Sequence, residues 1–203
     1  MVADDSSVRR REAARAGHRG DTSTPLHALD DPHPTVRIAA LRSLARLDAL
    51  TDEQLGTALH DPAPTVRIAA LELAAPRPTP PIEALLDDND PMVVEATAWA
   101  LGERPDADPA VIDRLGLVAE THTDPLVRES AVAALGAIGD ERGLAAILTA
   151  TRDKPAVRRR AVIALVSFEG PEVDAAWERA RTDRDRQVRD AVEELLGPVV
   201  EPD

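Results

Sequence analysis

Apolar residues in this chain recur every three to four positions in short runs, and no stretch alternates with the period of two that a half-buried strand needs. One run follows Pro34, where Val36, Ala40, Leu41 and Leu44 fall on a single side of a helix. The same stripe follows Pro125 (Val127, Ala131, Val132, Leu135) and Pro155 (Val157, Ala161, Val162, Leu165). Proline suits the first helical turn, where its missing N–H would have had no partner and its φ is already helical. Shorter apolar-periodic stretches at 25–29, 52–59, 81–86, 109–119, 141–150 and 171–180 precede these runs. The pattern predicts helix, short turn, helix, several times over, and no strand.

The runs are copies of one another. Pro-Thr-Val-Arg-Ile-Ala-Ala-Leu occurs at 34–41 and again unchanged at 64–71. Taking the proline as the reference column, copies begin at Pro34, Pro64, Pro91, Pro125, Pro155 and Arg186, so the spacings are 30, 27, 34, 30 and 31 residues. A two-helix unit of this length cannot bury its apolar stripe alone, so neighbouring units must stack. The segment from Val8 to Gly17 places Arg9 and Gly17 in matching columns and reads as an eroded first copy that caps the stack. The expected organisation is a single repeat domain over 1–203, with the cap at 1–21, six repeats over 22–197 and a tail at 198–203. Two irregular connections, Pro76 to Pro81 and Pro105 to Pro109, read as bends, because the columns resume in phase after each. Gly102, Gly136 and Gly197 share a column eleven residues past the proline position, where a left-handed helix cap is expected.

The fourth copy, Asp-Pro-x-Val-Arg-x-x-Ala-x-x-x-Leu-Gly at 124–136, resembles the short HEAT-like repeat of the phycobilin-lyase type, and the likeness extends over roughly 22–197. That resemblance implies an all-α, right-handed α-α superhelix, a HEAT-like solenoid of about six two-helix repeats with an N-terminal capping helix. It also implies a ladder of aspartates and arginines along the inter-helix turns. By column these are Asp31 with Arg37, Asp61 with Arg67 and Asp183 with Arg189, continued by Arg128 and Arg158. The pattern departs at Asp88, where Val94 replaces the arginine. It departs again where His122 faces Arg128 and Arg152 faces Arg158. Guanidinium and carboxylate satisfy each other as a fork, so the ladder reads as structural.

Composition narrows the function. With 24 basic and 37 acidic residues the net charge is −13, which opposes a phosphate backbone as the main partner. Trp99, Phe168 and Trp177 are the only aromatics, too few for a base-stacking platform. The absence of cysteine removes disulfides, thiolate catalysis and sulfur-ligated metals. No apolar run approaches the roughly 20 residues of a bilayer span, and no apolar segment follows Arg9-Arg10-Arg11, so a cytoplasmic protein without a secretory signal is expected.

Enzymes that resemble these repeats can be tested on residues. Deoxyhypusine hydroxylases carry His-Glu pairs for a di-iron centre, and no histidine here is followed by glutamate. HEAT-like DNA glycosylases require a basic, aromatic-bearing groove, the opposite of this composition. Histidines 18, 27, 33, 60 and 122 show no i, i+4 ligand spacing, and no phosphate loop or nucleophile elbow is present, so neither cofactor nor metal is expected.

The reading is therefore a non-enzymatic scaffold for a protein partner, binding neither nucleic acid nor membrane. The alternative is an accessory subunit of a lyase or isomerase of the phycobilin-lyase type. By the resemblance, partners bind a concave face lined by the second helices. Its outward columns give Ile38, Arg42, Ile68, Glu72, Glu95, Trp99, Glu103, Glu129 and Arg159 as the candidate face. Trp99 is the strongest candidate, since a core of Ala, Leu and Val has no need of an outward indole. Trp177, in the column of Leu55 and Ile82, is expected in the core.

Overall fold

The computed structural model describes residues 5–104 and 107–197. The tail at 198–203, residues 1–4 of the cap, and Pro105 and Asp106 in the longer connection lie outside them. Among the described residues all regular structure is helical. By packing the chain divides into two compact units, Met1–Ala84 and Leu85–Asp203, whereas the sequence reading runs one repeat domain through this point. The division falls just past the connection rich in proline, where four prolines between positions 76 and 81 remove backbone donors and leave room only for a 3₁₀ turn at Glu83–Asp87. A helix had been expected at 81–86.

The first unit holds α1 (Ser6–Arg19), α2 (Ser23–Ala28), α3 (Pro34–Arg46), α4 (Asp52–Ala58) and α5 (Pro64–Ala74). Here α1 packs on α3 and α3 on α5, so α1 occupies the place of a second helix, as the columns of Arg9 and Gly17 suggest. The second unit holds α6 (Pro91–Gly102), α7 (Pro109–Thr121), α8 (Pro125–Ile138), α9 (Leu144–Ala150), α10 (Pro155–Ala164), α11 (Pro171–Arg181) and α12 (Arg186–Leu196). Its second helices pack in the series α6, α8, α10, α12, and its first helices in the series α7, α9, α11.

Each core is the predicted stripe. Leu41, Leu44, Leu55, Leu59 and Leu71 are fully buried in the first unit, and Ile112, Leu115, Leu135, Ile147 and Leu165 in the second. Aspartate immediately before the proline caps the second helix: Asp90 and Asp124 accept the N–H of Met92 and Leu126, each at 2.9 Å.

The glycine column does something other than what was expected. Gly197 has the positive φ of a chain reversal after α12, but Gly102 and Gly136 are helical, and the left-handed cap of α8 is Gly139 at φ 69°. Gly102 and Gly136 are there to let helices touch. A Cβ on Gly102 would lie 2.8 Å from the Cα of Ala134, and one on Gly136 would lie 2.5 Å from the Cβ of Ala164. Gly17 meets Ser43 in the same way, at 2.9 Å from its Cβ. In all three the glycine sits eleven residues past the reference column and faces position nine of the next second helix. Small residues at both positions bring the backbones together and lock the register between repeats. Hydroxyls cross the same seams: Ser43 donates to the Ala13 carbonyl and Ser167 to that of Gly136, each at 2.8 Å.

Two glycine replacements separate close approach from helix propensity. Alanine gains ~1 kcal/mol over glycine inside a helix. At Gly116 the added Cβ finds only ordinary contact, 3.6 Å from Ala146, so Gly116→Ala is expected to raise Tm by up to about 4 °C. At Gly136 the gain is outweighed by overpacking of ~1–3 kcal/mol against rigid backbone, so Gly136→Ala is expected to lower Tm by several degrees. Thermal melts followed at 222 nm decide it, and a rise for both would refute the close-approach reading.

Candidate functional site

Two residue systems emerge from the repeat, one between helices and one on their outward faces. The first is the ladder. The arginine three residues into a second helix reaches forward to an aspartate of the following repeat. Arg9 donates to Asp31 at 2.6 and 3.2 Å and Arg37 to Asp61 at 2.7 and 2.6 Å. Arg128 pairs with Asp153 at 2.6 and 2.7 Å and Arg158 with Asp183 at 2.8 and 2.7 Å. Each is a two-pronged fork through Nε and Nη2.

The pairing by six residues expected from the columns is thus corrected. Within its own repeat the arginine binds a carbonyl, not the carboxylate. Nη1 of Arg37 donates to the Asp31 carbonyl at 2.8 Å, Arg67 to that of Asp61 at 2.8 Å, and Arg189 to that of Asp183 at 2.6 Å. Replacing Arg67 would not strand the Asp61 carboxylate, because Arg37 holds it. The aspartate also shapes its own turn. Asp31, Asp61 and Asp183 accept the N–H two residues on, at 2.9, 2.8 and 2.8 Å.

This geometry explains the departures. Arg128 needs only a carbonyl from position 122, and the His122 carbonyl supplies it at 2.7 Å. The Arg152 column is filled one place later by Asp153, whose turn contact shifts to the adjacent Lys154 N–H at 2.6 Å. Val94 and His122 are two ends of one missing rung. Val94 is buried and offers no guanidinium, and His122 keeps only the turn-making role, its Nδ1 accepting the Asp124 N–H at 3.1 Å.

The forks hold the carboxyl groups of Asp31, Asp153 and Asp183 below the ordinary aspartate value, against the opposing effect of burial. The same pairs hold Arg128 and Arg158 more firmly protonated, again against burial.

On the outward faces, the candidate residues fall into groups. In the first unit Ile38 and Ile68 are half-buried, while Arg42 and Glu72 are exposed and joined by a 2.8 Å ion pair. In the second unit Glu95 is half-buried, Trp99 is exposed on α6, and Glu103 is exposed just past its C-terminus. Glu129 on α8 meets Arg159 at 4.0 Å and Arg160 at 3.6 Å on α10. Trp177 is half-buried rather than core, and its Nε1 is shielded without a hydrogen-bond partner.

Several residues stand on the same faces outside the sequence-derived candidate set. Met92, Leu126, Ile163 and Val166 are exposed in the second unit, by 64%, 57%, 37% and 54%. Met92, Leu126 and Ile163 lie in columns already recognised as outward, and the signal that marks them is an apolar residue where the earlier repeats carry Thr35, Thr65 or Arg42. In the first unit Arg10, Arg11, His18 and Arg46 join Arg42 around a groove between α1 and α3. Among the described residues no group of three or more His, Asp or Glu side chains is placed to hold a metal ion.

Comparison with known proteins agrees with this architecture. The family described as HEAT repeats matches residues 112–197. No curated protein matches the chain in sequence. Among solved structures, human deoxyhypusine hydroxylase in complex with glycerol superposes with a TM-score of 0.50 at 22% identity, covering 96% of this chain and 80% of that one. At that identity the likeness is one of fold. A designed armadillo repeat protein in complex with the peptide (KR)4 gives a TM-score of 0.46 at 18% identity, over 92% of this chain and 85% of that one.

The ladder carries a pH signature. The unfolded aspartates titrate near ~3.9, and the folded ones lower. Their stabilisation is therefore complete above ~4 and is lost as pH falls through the folded values. Tm is expected to vary little between pH 7 and about 5 on account of these groups, then to fall steeply below about 4. The fall should be shallower in Asp183→Asn. An unchanged acid limb in that variant would show that the fork does not set it.

Proposed function

This HEAT-like repeat protein is, we propose, a non-enzymatic scaffold that binds a protein partner on the outward faces of its second helices. The observation that carries the reading is the apolar row of the second unit. Met92, Trp99, Leu126, Ile163 and Val166 lie on successive second helices or the 3₁₀ turn at Leu165–Ser167 that extends α10, all exposed. Scattered exposed leucines need no explanation, but repeated large apolar residues in outward columns, with a tryptophan among them, are what protein-binding faces use.

The surrounding chemistry favours a protein over other partners. Glu95, Glu103 and Glu129 border the row, which would repel a nucleic-acid backbone, as would the net charge of −13. Among the described residues no helix is long and apolar enough to cross a membrane. The rim pairs of Glu129 with Arg159 and Arg160 are partly exposed and cost little to rearrange when a partner arrives.

The experiment is a selection of peptides from a random display library on the purified chain, followed by affinity measurement on the wild type and on Trp99→Ala. Trp99 is 44% exposed, so its loss is expected to leave Tm within about 2 °C. Selected ligands are expected to lose roughly 30-fold in affinity, the ~2 kcal/mol of a central anchor. Failure to select any ligand, or ligands indifferent to Trp99, would contradict the assignment. A Tm loss equivalent to ~3–5 kcal/mol would make Trp99 a packing residue instead.

A further inference from the structure

The first unit presents a different surface from the second. Helix α1 carries five arginines in fourteen residues, in a chain whose net charge is −13. Arg10 and Arg11 from α1 and Arg42 and Arg46 from α3 converge on one groove of about 440 Å³, which His18 and the half-buried Ile38 also line. Among the described residues no acidic group lies within ion-pair distance of Arg10, Arg11 or Arg46. Arg42 has one, Glu72, in a 2.8 Å pair whose side chains are 55% and 47% exposed. An exposed pair of this kind contributes little to folding, so stability does not explain the cluster.

We propose that the α1–α3 groove is a docking site for an acidic peptide segment, whose carboxylates pair with Arg10, Arg11, Arg42 and Arg46. The spacing fits: Arg42 and Arg46 are four residues apart on α3, a rise of ~6 Å. Alternate residues of an extended peptide are ~6.8 Å apart, so acidic side chains at every second position meet successive arginines as the peptide runs along the helix. Ile38 receives the apolar part of the ligand. A long polyanion is disfavoured although the patch is basic. The acidic remainder of the molecule repels any charge extending beyond the groove, within a screening distance of ~8 Å at physiological salt.

Glu72 acts in this scheme as a resident competitor. It occupies Arg42 in the free protein and must be displaced by the incoming carboxylate. Removing it is therefore expected to strengthen binding, an effect opposite in sign to that of removing an arginine.

The proposal rests on the reading of second-helix faces as docking surfaces, but not on Trp99 or the apolar row. The test is fluorescence anisotropy with a labelled (Glu-Ala)6 peptide at ~50 mM salt, against (Lys-Ala)6 and a 12-base-pair DNA duplex. The acidic peptide is expected to bind, to weaken with added salt, and to outcompete both controls. The exposed double variant Arg10→Ala, Arg46→Ala should lose at least tenfold in affinity with its Tm preserved. Glu72→Gln should gain severalfold, and Trp99→Ala should bind as the wild type does. Absence of binding, tighter binding of the duplex, or indifference to both Arg10/Arg46 and Glu72 would overturn the proposal. If only Trp99→Ala lowers binding, the ligand sits on the second unit and the groove assignment fails while the scaffold reading survives.

Discussion

An arginine fork thrown forward to the next repeat's aspartate is the interaction on which the stack depends. The rung of Arg37 and Asp61 does three things with one pair of side chains. The guanidinium satisfies a carbonyl of its own turn, it closes two charged hydrogen bonds onto the following repeat, and the receiving carboxylate folds that repeat's turn. Charge-assisted bonds of this kind are stronger than neutral ones, and a carboxylate already fixed by its own backbone loses little freedom on being bound. The side chains of Arg158 and Asp183 are only 6% and 15% exposed, so breaking one partner would leave the other charge with little water to receive it.

Close helix contact and the forks do not coincide seam by seam. Gly136 meets Ala164 across the seam of the Arg128–Asp153 fork and Gly17 meets Ser43 across that of Arg9–Asp31, but Gly102 meets Ala134 where no fork crosses, and the forks of Arg37 and Arg158 cross seams that carry Ala45 and Val166 in the glycine column. The lost rung shows what the ladder itself constrains. With valine at 94 there is no cation to receive, and position 122 carries histidine, which keeps the turn acceptor without a buried negative charge. The outward faces are free of these constraints. They diverge between the units, basic around α1 and α3 and apolar around α6, α8 and α10, while the inward columns stay constant.

Much of this was legible in the chain. The period near 30, the proline column and the apolar stripe located the second helices closely, because each is a local property of one helix. The ladder arginines were legible too, but not their partners, since a pairing 22–25 residues apart depends on how two repeats stack. His122 and Arg152 looked like breaks for the same reason. Gly136 was misread as a cap because glycine satisfies both a left-handed turn and a close approach, and only the neighbour at Ala164 distinguishes them. Arg10 and Arg11 were visible but not placed, as nothing within one helix brings Arg10 to the same groove as Arg46.

The direct test of the account is a double-mutant cycle on Arg158 and Asp183, with Arg158→Leu, Asp183→Asn and the double variant compared by urea unfolding. Arg42 with Glu72 serves as an exposed reference in the same molecule. The account requires a coupling of ~2 kcal/mol or more for the buried fork and under ~1 kcal/mol for the exposed pair. Equal, small couplings for both would mean that the helices stack on apolar contact alone, and the ladder would lose its place as the organising constraint.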